Sequence, residues 1–202
     1  MMQMPWRGAA LLSLLLVSLE VHAFSLEELE AQLRATPIVR GQFVQQKFLR
    51  SLAEPLTTQG DFTLAADKGL LWFLREPIVQ DLRMTYAGVA RRDAEGQWQT
   101  LPQQAGGARE SRIFLAVLAG DTRDLRESFD ISLSGTETAW KVTMTPSSAL
   151  LRQIFSGIVI EGGRFVDRIE LHETQGDRTV LAMENPQAAQ ALNDEEVRAY
   201  GE

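Results

Sequence analysis

The chain has 202 residues, with 20 Lys and Arg against 27 Asp and Glu, for a net charge of −7. That balance excludes the basic patch of a nucleic-acid binder and adsorption to anionic lipid through charge. With no cysteine, disulfides, thiolate nucleophiles, cysteine-ligated metals and a lipidated cysteine are excluded as well.

Arg7 precedes an apolar run of 12 residues, Gly8–Leu19, too short to cross a bilayer, which takes ~20. Val21-His22-Ala23 then places small residues at the −3 and −1 positions of a cleavage site. Residues 1–23 read as a secretory signal peptide cut after Ala23. The remaining 179 residues, 24–202, are enough for one domain held together by its own core, and none of them forms a spanning segment.

Ser25-Leu26-Glu27-Glu28 is a capping box that opens a short helix. Leu26, Leu29 and Leu33 share one face, and Thr36-Pro37 ends it. A helix so short is marginal alone, so its leucines must dock on something. Ile38–Arg50 is a long strand, with Phe43, Gln45 and Lys47 on one face and Val44, Gln46 and Phe48 on the other. A loop to Pro55 leads into a hairpin: Phe62 and Leu64 alternate with polar neighbours, Ala66-Asp67-Lys68-Gly69 supplies the turn, and Gly69–Glu76 follows. That second strand is apolar on both faces, with Leu71 and Phe73 on one and Leu70, Trp72 and Leu74 on the other, so it needs cover on two sides. Pro77 limits it.

Ile78–Tyr86 continues as strand, with Leu82 and Met84 on one face. Val89–Asp93 and Gln97–Leu101 form a hairpin through Asp93-Ala94-Glu95-Gly96. After a glutamine- and glycine-rich loop, Pro102–Ala108, a helix runs over Arg109–Ala119 with Ile113, Phe114, Val117 and Leu118 as its apolar stripe and Gly120 as its C′ residue. A second, charged helix covers Thr122–Ser128 with Leu125 its one apolar residue. Phe129–Ser134 pairs with Ala139–Thr145, Pro146–Leu150 is a break, Arg152–Glu161 pairs with Arg164–His172 across Gly162-Gly163, and Arg178–Glu184 is the last strand. Asn193 caps a final short helix. The total is about ten strands joined by tight turns, an antiparallel meander, so the fold class is mainly β with a few helices.

The order of these elements, with Phe43-x-Gln45, Gly60-Asp61-Phe62, Gly69-Leu70-Leu71-Trp72, Arg75-x-Pro77 and Gln175-Gly176-Asp177-Arg178, resembles the LolA-type outer-membrane lipoprotein carriers, as a divergent LolA-like branch. The resemblance spans the whole chain after the signal peptide. It implies an open antiparallel β-barrel, a strongly curved sheet under a lid of short helices, with acyl chains between them. It also implies a periplasmic monomer that takes lipoprotein acyl chains or another lipid from an inner-membrane transporter to an outer-membrane acceptor. A second reading is a periplasmic lipid-binding sensor that regulates a membrane partner. In the family an arginine in a Lys-Arg-Pro segment latches the lid. Here that position carries Asp67, and Arg75 is the nearest arginine that could stand in.

On this reading the acyl cavity is lined by Phe43, Phe62, Leu64, Leu71, Phe73 and Met84 from the sheet and by Leu29, Leu33, Ile113, Phe114, Val117 and Leu118 from the lid, with Trp140 and Met144 as further candidates. The alternative for each is plain core packing, which uses the same side chains. Enzyme chemistry finds no support. His172 shares the polar face of its strand with Arg168 and Glu170, no Gly-x-Ser-x-Gly elbow or phosphate loop is present, and Asp121, Asp124 and Glu127 read as a solvated face rather than a metal site. The expectation is a binding protein without cofactor or metal.

Overall fold

A computed structural model describes residues 23–102 and 108–201. The expected signal peptide up to residue 22, and residues 103–107 of the predicted glutamine–glycine loop, lie outside the described residues. The chain forms α1 (Leu26–Arg34), β1 (Ile38–Phe48), β2 (Leu56–Ala65), β3 (Gly69–Glu76), β4 (Gln80–Thr85), β5 (Gly88–Arg92) and β6 (Trp98–Thr100). The helices α2 (Ala108–Leu118) and α3 (Arg123–Arg126) follow, then β7 (Phe129–Thr136), β8 (Ala139–Pro146), α4 (Ala149–Arg152), β9 (Phe155–Gly162), β10 (Val166–Glu173), β11 (Arg178–Ala189) and α5 (Asp194–Tyr200).

Every predicted strand has a counterpart. The eleven strands make one sheet in the order β6-β5-β4-β3-β2-β1-β11-β10-β9-β8-β7, and the pairings are antiparallel throughout. It does not close, because β6 and β7 remain edges. It is strongly curved. Leu33 of α1 lines one small void with Phe62 and Leu64 of one half of the sheet and another with Trp140 and Ile160 of the other half, so the two halves bend toward a shared axis around the helices. The architecture is the expected open barrel with short helices in its hollow.

Local signals place the helices. Ser25 and Glu28 complete a capping box at α1, and Asn193 and Glu196 do the same at α5. Gly120 closes α2 at φ +65°, where a Cβ would stand 3.0 Å from the Glu30 carbonyl. Only glycine allows α1 to pass so close. The break at Pro146–Leu150 and the residues after it instead hold a turn of helix, α4, capped by the Ser148 hydroxyl. Strand β11 runs five residues past the expected Glu184, to Ala189. It bends at Asn185, φ 50°, opposite a bulge between Arg40 and Gln42.

The register of the β2–β3 hairpin decides which side chains face the hollow. Ala65 pairs with Gly69, so Leu64 faces Leu70 and Phe62 faces Trp72. Across β4, Leu70 pairs with Met84 and Trp72 with Leu82. These, with Phe43 on β1, form the concave face, where Phe43 and Trp72 stack at 3.6 Å between ring centroids. From the other half of the sheet, Met144, Phe155, Ile158, Ile160, Ile169 and Leu181 complete the core.

The opposite, convex face of β2–β4 is covered by α5. Tyr200 places its hydroxyl 3.0 Å from the Thr63 carbonyl and 2.9 Å from that of Gly69. Arg83 donates to the Ala199 carbonyl at 2.9 Å. Glu196 is buried and accepts from Arg40 Nε at 2.5 Å, from Arg40 Nη2 and from the Thr63 hydroxyl at 2.8 Å.

Candidate functional site

The hollow is filled unevenly. On the α1 side, packing leaves two voids of 20 Å³ each, room for about one water apiece. Under α2 lies a pocket of 420 Å³, within the ~300–1,000 Å³ span of small-molecule sites. Its walls are Leu70, Trp72 and Leu74 of β3, Leu82 and Met84 of β4, Phe114 and Leu118 of α2, and Phe155, Leu171 and Leu181 across the hollow. At one end the lining turns polar, with Gln45, Lys47, Thr58, Glu173 and Thr179. There Lys47 Nζ and Glu173 pair at 3.5 Å with their side chains 41% and 29% exposed, which marks the mouth. The site is an apolar sleeve with a polar collar. It suits a molecule with a long hydrocarbon part and a polar end.

The roof is tied down by polar contacts that sequence reading did not foresee. Glu30 of α1 is buried and accepts hydrogen bonds from the Thr122 hydroxyl and from Arg126 Nη2, the latter at 3.0 Å. Arg34 donates to the Gly120 carbonyl at 2.8 Å. Glu27 adds an exposed bond to Arg126 at 3.2 Å. Together these bolt α1 to the corner joining α2 and α3. The signal was present as Glu27 and Glu30 on α1 and Arg126 on α3, but pairing them required the fold. Replacing Glu30 with alanine strands these donors at a partly buried site and is expected to cost about 1–3 kcal/mol. Hydrogen exchange should show α1 and α3 amides losing protection while the central strands keep theirs.

Of the residues expected to line a cavity, Met84, Phe114 and Leu118 meet at the wall of the large pocket. Phe43 lies directly behind the Trp72 ring. Phe62, Leu64 and Leu33 surround one small void, and Leu29, Val117, Trp140 and Met144 surround the other. Ile113 is buried in the core. Leu71 and Phe73 do not belong to the site. The three-residue turn, Ala66–Lys68, pairs them with Thr63 and Asp61 on the convex face, and successive side chains of a strand point to opposite sides. Leu71 is fully buried there, and Phe73 lies under the Arg75 guanidinium at 5.1 Å. Their alternation partners Leu70, Trp72 and Leu74 are the pocket residues instead.

Arg75 is likewise on the outer face, bonded to Asp61 at 3.3 Å and Asp81 at 3.1 Å. It cannot reach the lid, and the Glu30 cluster is what ties the helices. Asp67 is 77% exposed at the hairpin tip beside Lys68. His172 sits on the polar face with Glu170 at 3.3 Å, as its strand position predicts. Asp121 is held by Arg123 Nη2 at 2.8 Å. Among the described residues no three His, Asp or Glu side chains converge on one point, and no helix is long and apolar enough to cross a membrane.

Comparison with known proteins places these features in context. The sequence model described as "outer membrane lipoprotein carrier protein LolA-like" matches residues 21–200. Among solved structures, a LolA superfamily protein, NE2245 from Nitrosomonas europaea, is 10% identical over 86% of this chain and 97% of its own, with a TM-score of 0.47. A putative outer membrane lipoprotein-sorting protein domain from Vibrio parahaemolyticus is 7% identical over 86% of this chain and 94% of its own, with a TM-score of 0.46. MucB of Pseudomonas aeruginosa, solved in complex with MucA, is 13% identical over 85% of this chain and 59% of its own, with a TM-score of 0.48. No curated protein matches the chain.

Proposed function

The chain belongs to the LolA-like family of outer membrane lipoprotein carrier proteins, and on that premise we propose that it is a carrier of acyl lipid in the periplasm. The observation that supports this is the 420 Å³ apolar pocket between α2 and the sheet, open at a polar collar. Exposing hydrocarbon to water costs ~0.8 kcal/mol per CH₂, so a sixteen-carbon chain faces roughly 10 kcal/mol or more in leaving a membrane unshielded. A sleeve that covers it removes most of that barrier. The collar leaves the polar end of the cargo in water, where Lys47 and Glu173 can hydrogen-bond to it.

Shielding needs no nucleophile, cofactor or metal, and the role proposed is binding without catalysis. The signal peptide read at residues 1–23 delivers the chain to the periplasm. It works there as a monomer, loading at an inner-membrane transporter and delivering lipoprotein acyl chains or a related lipid to an outer-membrane acceptor. Native mass spectrometry of protein purified from periplasm should show acyl species bound one to one. A protein that is empty in that measurement and also takes up no fluorescent fatty acid would overturn the reading.

A further inference from the structure

Among the described residues six large hydrophobics are well exposed: Leu52 (47%), Leu56 (53%), Ile78 (70%), Val79 (72%), Tyr86 (56%) and Leu150 (57%). Five of them lie at one end of the sheet. In an antiparallel meander successive connections alternate between the two ends. The β1–β2 connection carries Leu52 and the β3–β4 connection carries Ile78 and Val79, so these share an end. Leu56 opens β2 at that same end, paired with Lys47. The β8–β9 connection, where α4 carries Leu150, is there too, because Phe155 of β9 pairs with Glu173 next to the β10–β11 turn. Tyr86, in the β4–β5 turn, is at the opposite end.

This is the end at which the pocket opens. Lys47, Thr58, Glu173 and Thr179 of the collar sit at the same strand termini. The loops are fastened to one another. Asp177 Oδ1 accepts from the Arg50 backbone N–H at 3.0 Å, and Thr174 donates through its hydroxyl to the Arg152 carbonyl at 2.8 Å. The β1–β2 connection and the α4 connection, with Leu52 and Leu150, are thus both tied to the β10–β11 turn on the rim of the mouth.

We propose that this rim docks the protein on a lipid bilayer, with Leu52, Leu56, Ile78, Val79 and Leu150 entering the headgroup region and the mouth turned to the membrane. The choice of occupant follows from the pattern. The tips come singly or in pairs from separate connections, with polar residues such as Ser51 and Glu54 between them. A protein partner calls for a contiguous, shaped patch. A lipid interface accepts isolated apolar side chains at a common depth. The cations at this end, Lys47, Arg50, Arg152 and Arg178, are matched in number by Glu54, Glu76, Glu173 and Asp177, and Arg75 is paired with Asp61 and Asp81, so the rim has little net attraction for anionic lipid. Apolar insertion drives the docking, and added salt does not release it. The proposal rests on the carrier reading for its purpose: docking brings the mouth to the membrane surface at which the cargo is loaded and delivered.

Flotation with vesicles of pure phosphatidylcholine tests it. The wild-type chain should float with the vesicles in low and high salt. The double variant Ile78→Ser, Val79→Ser alters exposed loop residues and should keep the wild-type melting temperature, yet its partitioning should fall by at least about tenfold. The variant should still take up a fluorescent fatty acid from detergent solution. A wild-type protein that stays behind, or a double variant that floats equally well, overturns the docking rim. If wild-type protein takes up fatty acid but never floats, the rim falls and the carrier reading stands. If it floats through Ile78 and Val79 but takes up no fatty acid, the rim is upheld and the carrier reading falls.

Discussion

Leu82→Asp is expected to abolish fatty-acid uptake while leaving the sheet folded, and Leu71→Asp is expected to do the reverse damage. Leu82 is only partly buried and faces the pocket. A carboxylate there is solvated in the empty protein but must lose that water when hydrocarbon enters. An unpaired charge against an acyl chain should weaken binding by at least a hundredfold, about 2.7 kcal/mol. Leu71 is fully buried on the other side of the sheet, opposite Thr63 and beneath the region held by α5. A charge there has no water and no partner, and costs at least about 4 kcal/mol, a large part of the ~5–15 kcal/mol that holds an ordinary domain. Fluorescent fatty-acid titration and urea unfolding on both variants separate the two outcomes. If Leu71→Asp folds normally and loses uptake, the assignment of faces is wrong.

The second large effect concerns the convex face. Burial alone would raise the Glu196 carboxyl, but hydrogen bonds from Arg40, the Asn193 backbone N–H and the Thr63 hydroxyl outweigh it and hold the group below its ordinary 4.5. A depressed folded value means that this contribution is present above the ordinary value and is lost as pH falls through the folded one. Stability should therefore drop as pH falls below about 4.5 and Glu196 takes up a proton, and Glu196→Gln should lack that component. Arg40→Leu removes the charge facing a buried carboxylate and is expected to cost about 2–3 kcal/mol at neutral pH, below the full penalty because Arg40 keeps some contact with water. Urea midpoints measured across that pH range check both statements. A flat profile in the wild type would show that the pair contributes little.

Strand alternation, turn residues and helix caps were legible because each is set by neighbours in sequence. Phe62 and Leu64 announced their shared face, Ser25 and Asn193 announced two helix starts, and Gly120 announced a stop. The inward face of β3 was not legible. Its two faces are equally apolar, and the choice between Leu71 and Trp72 depends on whether the preceding turn holds an even or odd number of residues, since a one-residue slip exchanges the faces. Nor was the division between pocket and core. Leu29 and Phe114 look alike on their helices, but one lines a void of only 20 Å³ with Trp140 and Ile160 and the other lines the 420 Å³ pocket. That difference depends on the volumes of side chains drawn from distant parts of the chain. The Glu30 cluster was hidden for the same reason, because its partners lie some ninety residues away.

The seam between β1 and β11 sets a rule for assembly. Ile38 near the start of the domain pairs with Ala189 near its end, so the earliest strand waits for the latest before its second edge is satisfied. Loop-closure entropy over that span makes the pairing slow, and a chain emerging N-terminus first holds β1 half-bonded until the last hairpin arrives. The bare edge invites a β-strand from a neighbour in the meantime. Chains truncated before Arg178 should therefore associate with one another, whereas full-length chains seal the gap internally.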